Sequence, residues 1–579
     1  MPSGFERPPT IASHSLHQMP TPPAPDSPDQ ARDEVALDAA ERAAEAFNPG
    51  EEPAAPPAPG ERAGRLARST AFFSVATAAS RIAGLVREIV AASYFGVKGP
   101  MSAFTVAFQV PNLVRSLFAD AALQPAFVPI FTEQLEKGNY KEAFRMASAM
   151  LFVVTLVLGA ITALFVLLAP LVMPLFAPGL KGEIRDLMVV LSQILFPILI
   201  LLGLSGVVVG ILNSYDRFGA FAIAPLFWNL TIIGVLVFLA PAFHGNNRIY
   251  AYAIGILAGT VVQLAIPVFD LRNTPFKFTR RFGRPWRNPA VRRVLLLMLP
   301  VTISLGLINF NLLINSFFGS LVSDRGPAAI DKAFRVYQLP QGIFSVAITT
   351  VLFPTLARFA ARGARDDLRA TMANGMRQIV FVLLPAAAAV LVLSEPMIRL
   401  VYQRGEFTAS QTDLVSTALF WFAFSLPSNG LFLLLTRTFF SLQKPWIPTL
   451  ISGANLAVTA IAALLLYKPF GVGGIVASTA IATIASVIVQ CVVLRRELGG
   501  LELGRLADSA LRIGAASAAL AAVSYLVWHQ LDSALGRSLG GQTISLCTGL
   551  AAGFAVYLGV VRALRVPELD QILRLLRRR

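Results

Sequence analysis

Apolar runs of about 20 residues recur along this chain from Ser69 onward, with short polar segments between them. A helix of about 20 apolar residues can cross the roughly 30 Å hydrocarbon core of a bilayer. The pattern therefore predicts an all-α chain with about fourteen membrane-spanning helices. We place them at 69–95, 102–132, 143–175, 185–213, 218–241, 248–270, 290–320, 328–358, 372–395, 411–441, 446–467, 472–494, 506–530 and 541–563.

The composition supports a polytopic membrane protein. Hydrophobic residues occupy 55% of the 579 positions and charged residues only 14%, whereas a soluble domain has about 25% charged residues. The two cysteines, Cys491 and Cys547, lie in apolar runs, and the four histidines are scattered. We therefore expect no disulfide framework, no metal site, no cofactor and no enzymatic centre.

Segments of different composition divide the chain. Residues 1–66 are rich in proline, alanine and acidic side chains, and such a segment cannot bury a core, so we expect a disordered cytoplasmic extension. The remainder is predicted to form an N-lobe with helices 1–6, a basic cytoplasmic linker, a C-lobe with helices 7–12, a pair of helices 13 and 14, and a basic cytoplasmic tail. Their respective bounds are 67–270, 271–289, 290–496, 497–565 and 566–579.

Lysine and arginine are concentrated in the loops on one side of the predicted membrane. Eight lie between 272 and 293, whereas the loops around Lys98 and Lys468 carry one lysine each. Because basic loops remain in the cytoplasm, we place both termini there. The formal charge of +16 is then a property of these loops and indicates no nucleic-acid partner.

The two halves of the chain contain a repeat. A shift of 226 residues without gaps aligns 107–127 with 333–353 and gives seven identities in 21 positions. The alignment pairs helix 2 with helix 8, so each repeat holds six helices and the two halves share one orientation. Transporters built from such parallel repeats bind their substrate between the halves. Helices 13 and 14 would then be an appendage.

Four arginines interrupt apolar runs: Arg81, Arg87 and Arg115 in the first two helices, and Arg335 in the eighth. A charge at the bilayer centre costs at least about 2.5–3.5 kcal/mol, so each should face a cavity or a partner. A guanidinium keeps its charge and donates two parallel hydrogen bonds, which suits phosphate oxygens. We predict that these arginines line an anion-binding cavity between the lobes.

Structural alternatives remain open for these arginines. Glu88 lies seven residues after Arg81, nearly on the same helix face, and could pair with it; Arg81 and Arg87 lie about 120° apart on an ideal helix. They share one cavity only if Gly84 permits a bend or the cavity is wide. Arg115 could pair with Glu88 or with Asp120.

Arg335 could instead anchor its helix at the outer interface. Prolines in the paired second and eighth helices could either allow movement or merely kink the packing. They are Pro111, Pro125, Pro340 and Pro354.

Three ordered motifs carry a resemblance to a known family. They are Ser80-Arg81-Ile82-x-Gly84-x-x-Arg87-Glu88, then Ala107-Phe108-x-Val110-Pro111-Asn112-Leu113-x-Arg115, then Phe118-Ala119-Asp120-x-Ala122-x-x-Pro125. Looser matches follow at Ala333-Phe334-Arg335 and Arg404-Gly405-Glu406. Over about 69–565 the chain resembles the MurJ/MviN family of lipid II flippases.

The resemblance implies two six-helix lobes around a cationic cavity, plus two C-terminal helices that line a groove for a lipid tail. It implies that the undecaprenyl-pyrophosphate-linked disaccharide-pentapeptide moves from the inner to the outer leaflet of the bacterial cytoplasmic membrane by alternating access. Membrane lipids and cell-wall synthesis proteins are the other implied partners. The matching cavity residues are Arg81, Arg87, Arg115 and Arg335, supported by Ser80, Gly84, Glu88, Asn112, Asp120 and Gln338.

The chain departs from the family pattern at several polar positions. Ser102 stands where many members have an acidic residue, and Gln338 stands where members often have glutamate. Some members have a cation site whose matching positions here are Asn315, Asn455 and Thr459. Without a carboxylate this set is a weak sodium site, so a coupling ion and the membrane potential both remain open as energy sources.

Two other functions fit the same fold. A cation- or proton-coupled multidrug antiporter would favour buried carboxylates over arginines, and a polysaccharide-lipid flippase would carry a different lipid-linked anion. A third reading is a membrane scaffold without transport activity, or a lipid scramblase-like regulator, whose basic loops dock partners. It predicts that the buried arginines are replaceable without loss of function. The sign of the charges inside the membrane favours the lipid II flippase.

Overall fold

The computed structural model describes residues 59–118, 123–279, 291–292, 294 and 310–569. Residues 1–58 of the predicted 1–66 extension, most of the basic linker and the end of the tail lie outside these ranges. Residues 59–66, which were predicted to belong to the disordered extension, lie instead in the first helix. Within the described ranges the chain is built from helices and contains no strand. The helices are α1 (Pro59–Phe95), α2 (Gly99–Phe118), α3 (Leu123–Glu136), α4 (Tyr140–Phe176), α5 (Gly182–Leu195), α6 (Ile198–Ser214), α7 (Gly219–Leu239), α8 (Ile249–Leu271), α9 (Phe310–Val322), α10 (Gly326–Pro340), α11 (Val346–Ala361), α12 (Arg365–Tyr402), α13 (Ala409–Ser441), α14 (Trp446–Glu497), α15 (Leu503–Leu535) and α16 (Leu539–Ala563).

Ten helical segments in the described part of the chain are long and apolar enough to cross a membrane. The prediction of an all-α polytopic protein is therefore confirmed. The predicted count of fourteen is approximate because α1, α2, α3 and α9 are not among these ten, and because α14 alone contains predicted helices 11 and 12.

The 52-residue helix α14 doubles back on itself at Gly471. This residue has φ +56° and ψ −135°, a backbone conformation that glycine adopts at no steric cost. The side-chain amide of Asn455, before the kink, donates to the hydroxyl of Ser486, after it, at 2.9 Å. The two halves of α14 therefore run side by side.

A π-helical turn, Gln341–Ser345, separates α10 from α11. It follows Pro340, which has no backbone N–H to donate, and such turns often mark functional sites. In the 226-residue repeat, Phe344 of this turn is equivalent to Phe118, where α2 ends. The π turn therefore lies at the repeat position equivalent to the last described residue of α2.

Following the sequence prediction, we call α1–α8 the N-lobe and α9–α14 the C-lobe. Helices α2 and α10, one from each, are in contact. The hydroxyl of Ser102 on α2 accepts a hydrogen bond from the backbone N–H of Ala328 on α10 at 3.2 Å. These residues are 226 positions apart, the offset of the repeat. Repeat-equivalent residues that touch one another lie beside the axis relating the two lobes.

The last two helices are fastened to α12 of the C-lobe. Arg399 pairs with Asp532 on α15, and Arg377 pairs with Glu568 after α16 at 3.1 Å. The hydroxyl of Tyr557 donates to a carbonyl of α12 at 2.7 Å. Because these contacts lie along most of the length of α12, helices α15 and α16 pack against the C-lobe.

Candidate binding site between the lobes

Backbone and side-chain contacts join the lobes where α1 ends and α13 begins. The N–H of Val97 donates to Oε1 of Gln411 at 2.9 Å, and the N–H of Glu406 donates to the carbonyl of Ser93 at 2.9 Å. Lys98 also pairs with the Glu406 carboxylate. We call this group of contacts the closed end.

A buried ion cluster lies deeper along α1 from the closed end. The carboxylate of Glu88 accepts a hydrogen bond from Arg87 at 2.6 Å and another from Nζ of Lys332 on α10 at 2.6 Å. Lys332 is fully buried, and Arg87 and Glu88 are less than 10% exposed. Because unpaired buried charges are strongly unfavourable, Glu88 neutralises cations from both lobes and links the lobes together.

Arg335 completes this group on the C-lobe side. Its guanidinium lies 3.3 Å from Asp331, one turn earlier on α10, and its side chain is 36% exposed. Three cations (Arg87, Lys332 and Arg335) therefore face two carboxylates, which leaves one positive charge in excess. The group borders a cavity of about 20 Å³ between the lobes, lined also by Met101, Phe104, Thr105, Phe108, Gln109, Tyr252 and Ile256.

Several guanidinium nitrogen atoms in this cluster have no hydrogen-bond partner in the described part of the protein. They are Nε and Nη1 of Arg87 and Nε of Arg335, all buried. The Arg87 guanidinium also stacks over the ring of Trp228 at 4.7 Å. A buried donor without a partner is unfavourable, so these N–H groups are available to an anionic ligand.

Arg81 lies further from the closed end and is exposed. Its guanidinium lies near Gly342, on the π turn of the C-lobe: a Cβ atom built on Gly342 would be 4.0 Å from Nη1 of Arg81. Nearby, the side-chain amide of Asn229 lies 3.4 Å from the carbonyl of Ser80 and about 3.7 Å from a Cβ added at Gly84. Helix α1 continues through Gly84 without a break.

The other predicted site residues lie at different places. Arg115 is on α2, but its side chain lies outside the described residues, as does the whole of Asp120. Asn112 is half-buried on α2, and Gln338 is exposed on α10 one turn beyond Arg335. The structure thus brings Arg87, Glu88 and Arg335 together.

A second polar region lies inside the C-lobe. Asn315 and Asn455 line a cavity of about 280 Å³, whereas Thr459 is fully buried and does not line it. Asn315 accepts a hydrogen bond from Thr479 at 3.2 Å, and Asn455 accepts one from Asn311 at 3.4 Å. Among the described residues, no group of three or more His, Cys, Asp or Glu side chains could hold a metal ion.

Two members of the ion cluster, Asp331 and Lys332, were not predicted from the sequence. A signal was available, because two charges precede Arg335 in an otherwise apolar helix and Asp331 lies one turn before it. The suggested pairing of Glu88 with Arg81 is replaced by pairing with Arg87 and Lys332. Seven residues separate Arg81 from Glu88 by about 10 Å along a helix, whereas Lys332 approaches Glu88 from the other lobe.

Two parallel repeats of membrane helices, joined across their interface by buried charges, define a membrane transporter with two lobes. A family model described as lipid II flippase MurJ matches residues 91–538, which is well over half of the chain. The chain belongs to the MurJ family.

Curated relatives agree with this assignment. A protein from Rhizobium meliloti named "Probable lipid II flippase MurJ" is 32% identical over 523 residues, covering 89% of this chain and 96% of that protein. One from Burkholderia cenocepacia named "Lipid II flippase MurJ" is 28% identical over 417 residues, covering 71% of this chain and 80% of that protein.

Solved structures share the fold. One described as lipid II flippase MurJ in an inward closed conformation matches with a TM-score of 0.71 and 23% identity, covering 85% of this chain and 99% of that one. An inward-facing multidrug resistance MATE family transporter of the MOP superfamily matches with a TM-score of 0.58 and 18% identity, covering 72% and 94%.

Proposed function

We propose that this protein flips lipid II, the lipid-linked peptidoglycan precursor, from the cytoplasmic to the outer leaflet of the bacterial cytoplasmic membrane. The observation that carries the proposal is the cluster of Arg87, Lys332 and Arg335 between the lobes, whose buried guanidinium N–H groups have no partner among the described residues. Such groups suit the oxygen atoms of a pyrophosphate. The protein acts as a transporter and not as an enzyme.

The closed end faces the outside of the cell in this proposal. Basic residues in the described chain gather at the opposite ends of the helices, and basic loops remain in the cytoplasm. They include Arg272, Lys277, Arg358, Arg362, Arg365, Arg495, Arg496 and Arg505. Both termini then lie in the cytoplasm, and lipid II enters the inter-lobe site from that side.

Alternating access follows from exchange of ion partners. In the closed arrangement Glu88 holds Arg87 and Lys332, and Asp331 holds Arg335. A pyrophosphate brought between the lobes competes with these carboxylates for the same donors. Once it has taken the place of Glu88 at Lys332, the lobes lose their buried ionic link, and the closed end can separate.

The charge balance of the site disfavours a multidrug antiporter. Organic cations are bound by carboxylates that are free to receive them, whereas Glu88 and Asp331 are already paired with cations. The excess positive charge attracts anions instead. Since the described site offers no carboxylate-rich cation site, we propose the membrane potential acting on this charged region as the energy source.

The test is complementation of a bacterial strain depleted of its own lipid II flippase. We expect Arg87→Ala, Arg115→Ala and Arg335→Ala each to fail, while membrane levels of the variants stay normal by immunoblot. The matched control is Arg362→Ala, an exposed arginine at the cytoplasmic end, which should complement fully. Full complementation by all three site variants would contradict the proposal.

A further inference from the structure

The cavity inside the C-lobe has no role in the function proposed so far. It holds about 280 Å³ and lies between α9, α10, α13 and the two halves of α14. This is near the lower end of the range of about 300–1,000 Å³ for ligand pockets, so it suits one compact group and not a whole lipid head group.

The walls of this cavity are polar but uncharged. Of the described residues that line it, nine carry amides or hydroxyls and none carries a formal charge: Asn311, Asn315, Gln338, Gln341, Asn429, Ser452, Asn455, Thr479 and Thr483. An ion would find no opposite charge here. Amides and hydroxyls offer donors and acceptors together, which matches a neutral ligand that has both.

One lining group lacks a partner. Oδ1 of Asn311 is buried and accepts no hydrogen bond from the described residues, while its amide nitrogen donates to Asn455 at 3.4 Å. A buried acceptor without a donor is unfavourable. A hydroxyl or amide N–H of a ligand would satisfy it.

Aromatic rings complete the wall. Phe334, Phe422 and Phe432 line the same cavity as the amides, and Phe334 and Phe422 pack together with ring centroids 5.6 Å apart. Apolar ring surface beside uncharged donors and acceptors suits a sugar, whose ring has C–H faces and a hydroxyl rim. The lining thus fits a carbohydrate better than an ion or a purely apolar group.

The cavity also lies beside the charged site. Gln338, on its wall, is one helical turn beyond Arg335 on α10. Ser316, next to cavity residue Asn315, donates to Gln109 of the N-lobe at 2.6 Å, and Gln109 lines the small inter-lobe cavity with Arg335. A sugar attached to a pyrophosphate bound at Arg335 would therefore lie next to the C-lobe cavity.

We infer that the C-lobe cavity binds a sugar unit of the lipid-linked precursor through its neutral amides. The inference rests on the proposed function, because the pyrophosphate brings the sugar to the cavity. It assigns selectivity for the glycan to the C-lobe, whereas the inter-lobe arginines recognise only the pyrophosphate.

The experiment measures binding of two lipids to the purified full-length protein by native mass spectrometry: lipid II, and undecaprenyl pyrophosphate, which has no sugar. We expect Asn311→Leu and Asn455→Leu to weaken lipid II binding about tenfold, the loss of one or two hydrogen bonds, and to leave undecaprenyl pyrophosphate binding unchanged. Gln490→Leu is the matched control, a buried amide on α14 that does not line the cavity, and it should change neither.

Gln338→Ala is a second test variant in case the variants at buried positions fail to fold, because Gln338 is exposed and its replacement leaves the packing intact. It should weaken only lipid II binding. The inference is overturned if these variants weaken both lipids equally or neither. It is also overturned if replacing sodium by potassium weakens lipid II binding to the wild type as much as Asn455→Leu does. Arg335→Ala should weaken both lipids, and its failure to do so would count against the proposed function alone.

Discussion

Two polar regions lie within the membrane helices, and they are built in opposite ways. The inter-lobe region consists of charges, with Glu88 of the N-lobe held at 2.6 Å by Lys332 of the C-lobe. The C-lobe cavity consists of neutral amides, such as Asn311 and Asn455, all within one lobe. Charges are placed across the boundary that opens in the proposed transport cycle, and neutral groups are placed within one lobe.

The difference has a physical basis. A buried charge is tolerated only while its partner is present, so an ion pair across the interface makes separation of the lobes depend on a replacement partner. An anionic ligand supplies that replacement. Amides have no such dependence, because a lost hydrogen bond costs only about 1–3 kcal/mol, and they can recognise shape without controlling movement.

The largest expected effect comes from breaking the charged region. Glu88→Leu leaves Arg87 and Lys332 buried without their carboxylate, and loss of one member of a buried pair costs about 3–5 kcal/mol. We expect a clear drop in the thermal unfolding midpoint of the purified protein. The double variant Glu88→Leu with Lys332→Leu should recover part of that loss, and equal midpoints for single and double variants would contradict the pairing.

Much of the fold is predictable from the hydrophobic pattern, because the thickness of the bilayer sets the length of each apolar segment that crosses it. The repeat also gave a correct spatial relation, since Gln109 and Arg335, equivalent at 226 residues, line one cavity. The hairpin within α14 was predicted as two helices, which describes its two halves around Gly471.

The site was harder to predict because its key contacts join residues far apart in sequence. Lys332 reaches Glu88 across 244 positions, and no local spacing rule connects them. Local rules favoured Arg81, which shares a helix face with Glu88 but lies about 10 Å along the axis. The amide cavity likewise combines four helices, so its neutral lining could be read only in part from Asn315 and Asn455.

An intermediate effect tests the neutral region. Because the described lining of the C-lobe cavity has no carboxylate, we expect flipping by the reconstituted wild type to be unchanged when sodium is replaced by potassium. Asn455→Asp adds a carboxylate beside Asn311 and Ser486 and should make thermal stability depend on sodium, since hard cations prefer charged oxygen ligands. Sodium-dependent flipping by the wild type would contradict the expectation that this neutral cavity binds no coupling cation.

The smallest effect is expected at the closed end. Lys98 lowers the pKa of the Glu406 carboxyl below its ordinary value of 4.5 by donating a hydrogen bond to it. The contact therefore stabilises closure above that pH and is lost as the pH falls through the lowered pKa. Because the pair is exposed, Glu406→Gln should change stability by less than about 1 kcal/mol.

This last effect is measured as the distance between spin labels at Lys181 of the N-lobe and Thr408 of the C-lobe, two exposed residues that leave the Lys98–Glu406 pair intact, at pH 7 and at pH 3. The closed-end distance distribution of the wild type should broaden at low pH, and that of Glu406→Gln should be the same at both values. A large opening of the variant at pH 7 would mean that this surface pair, and not the buried cluster, holds the lobes together.

The central claim is that the cations between the lobes bind the pyrophosphate of the transported lipid. The most direct measurement is the initial rate of lipid II flipping in proteoliposomes containing wild type, Arg335→Lys, Arg335→Ala or the control Arg362→Ala. We expect wild-type rates for the control and no flipping above protein-free vesicles for Arg335→Ala. We expect a reduced rate for Arg335→Lys, which keeps the charge but loses the planar fork of donors. Wild-type rates for Arg335→Ala would contradict the central claim.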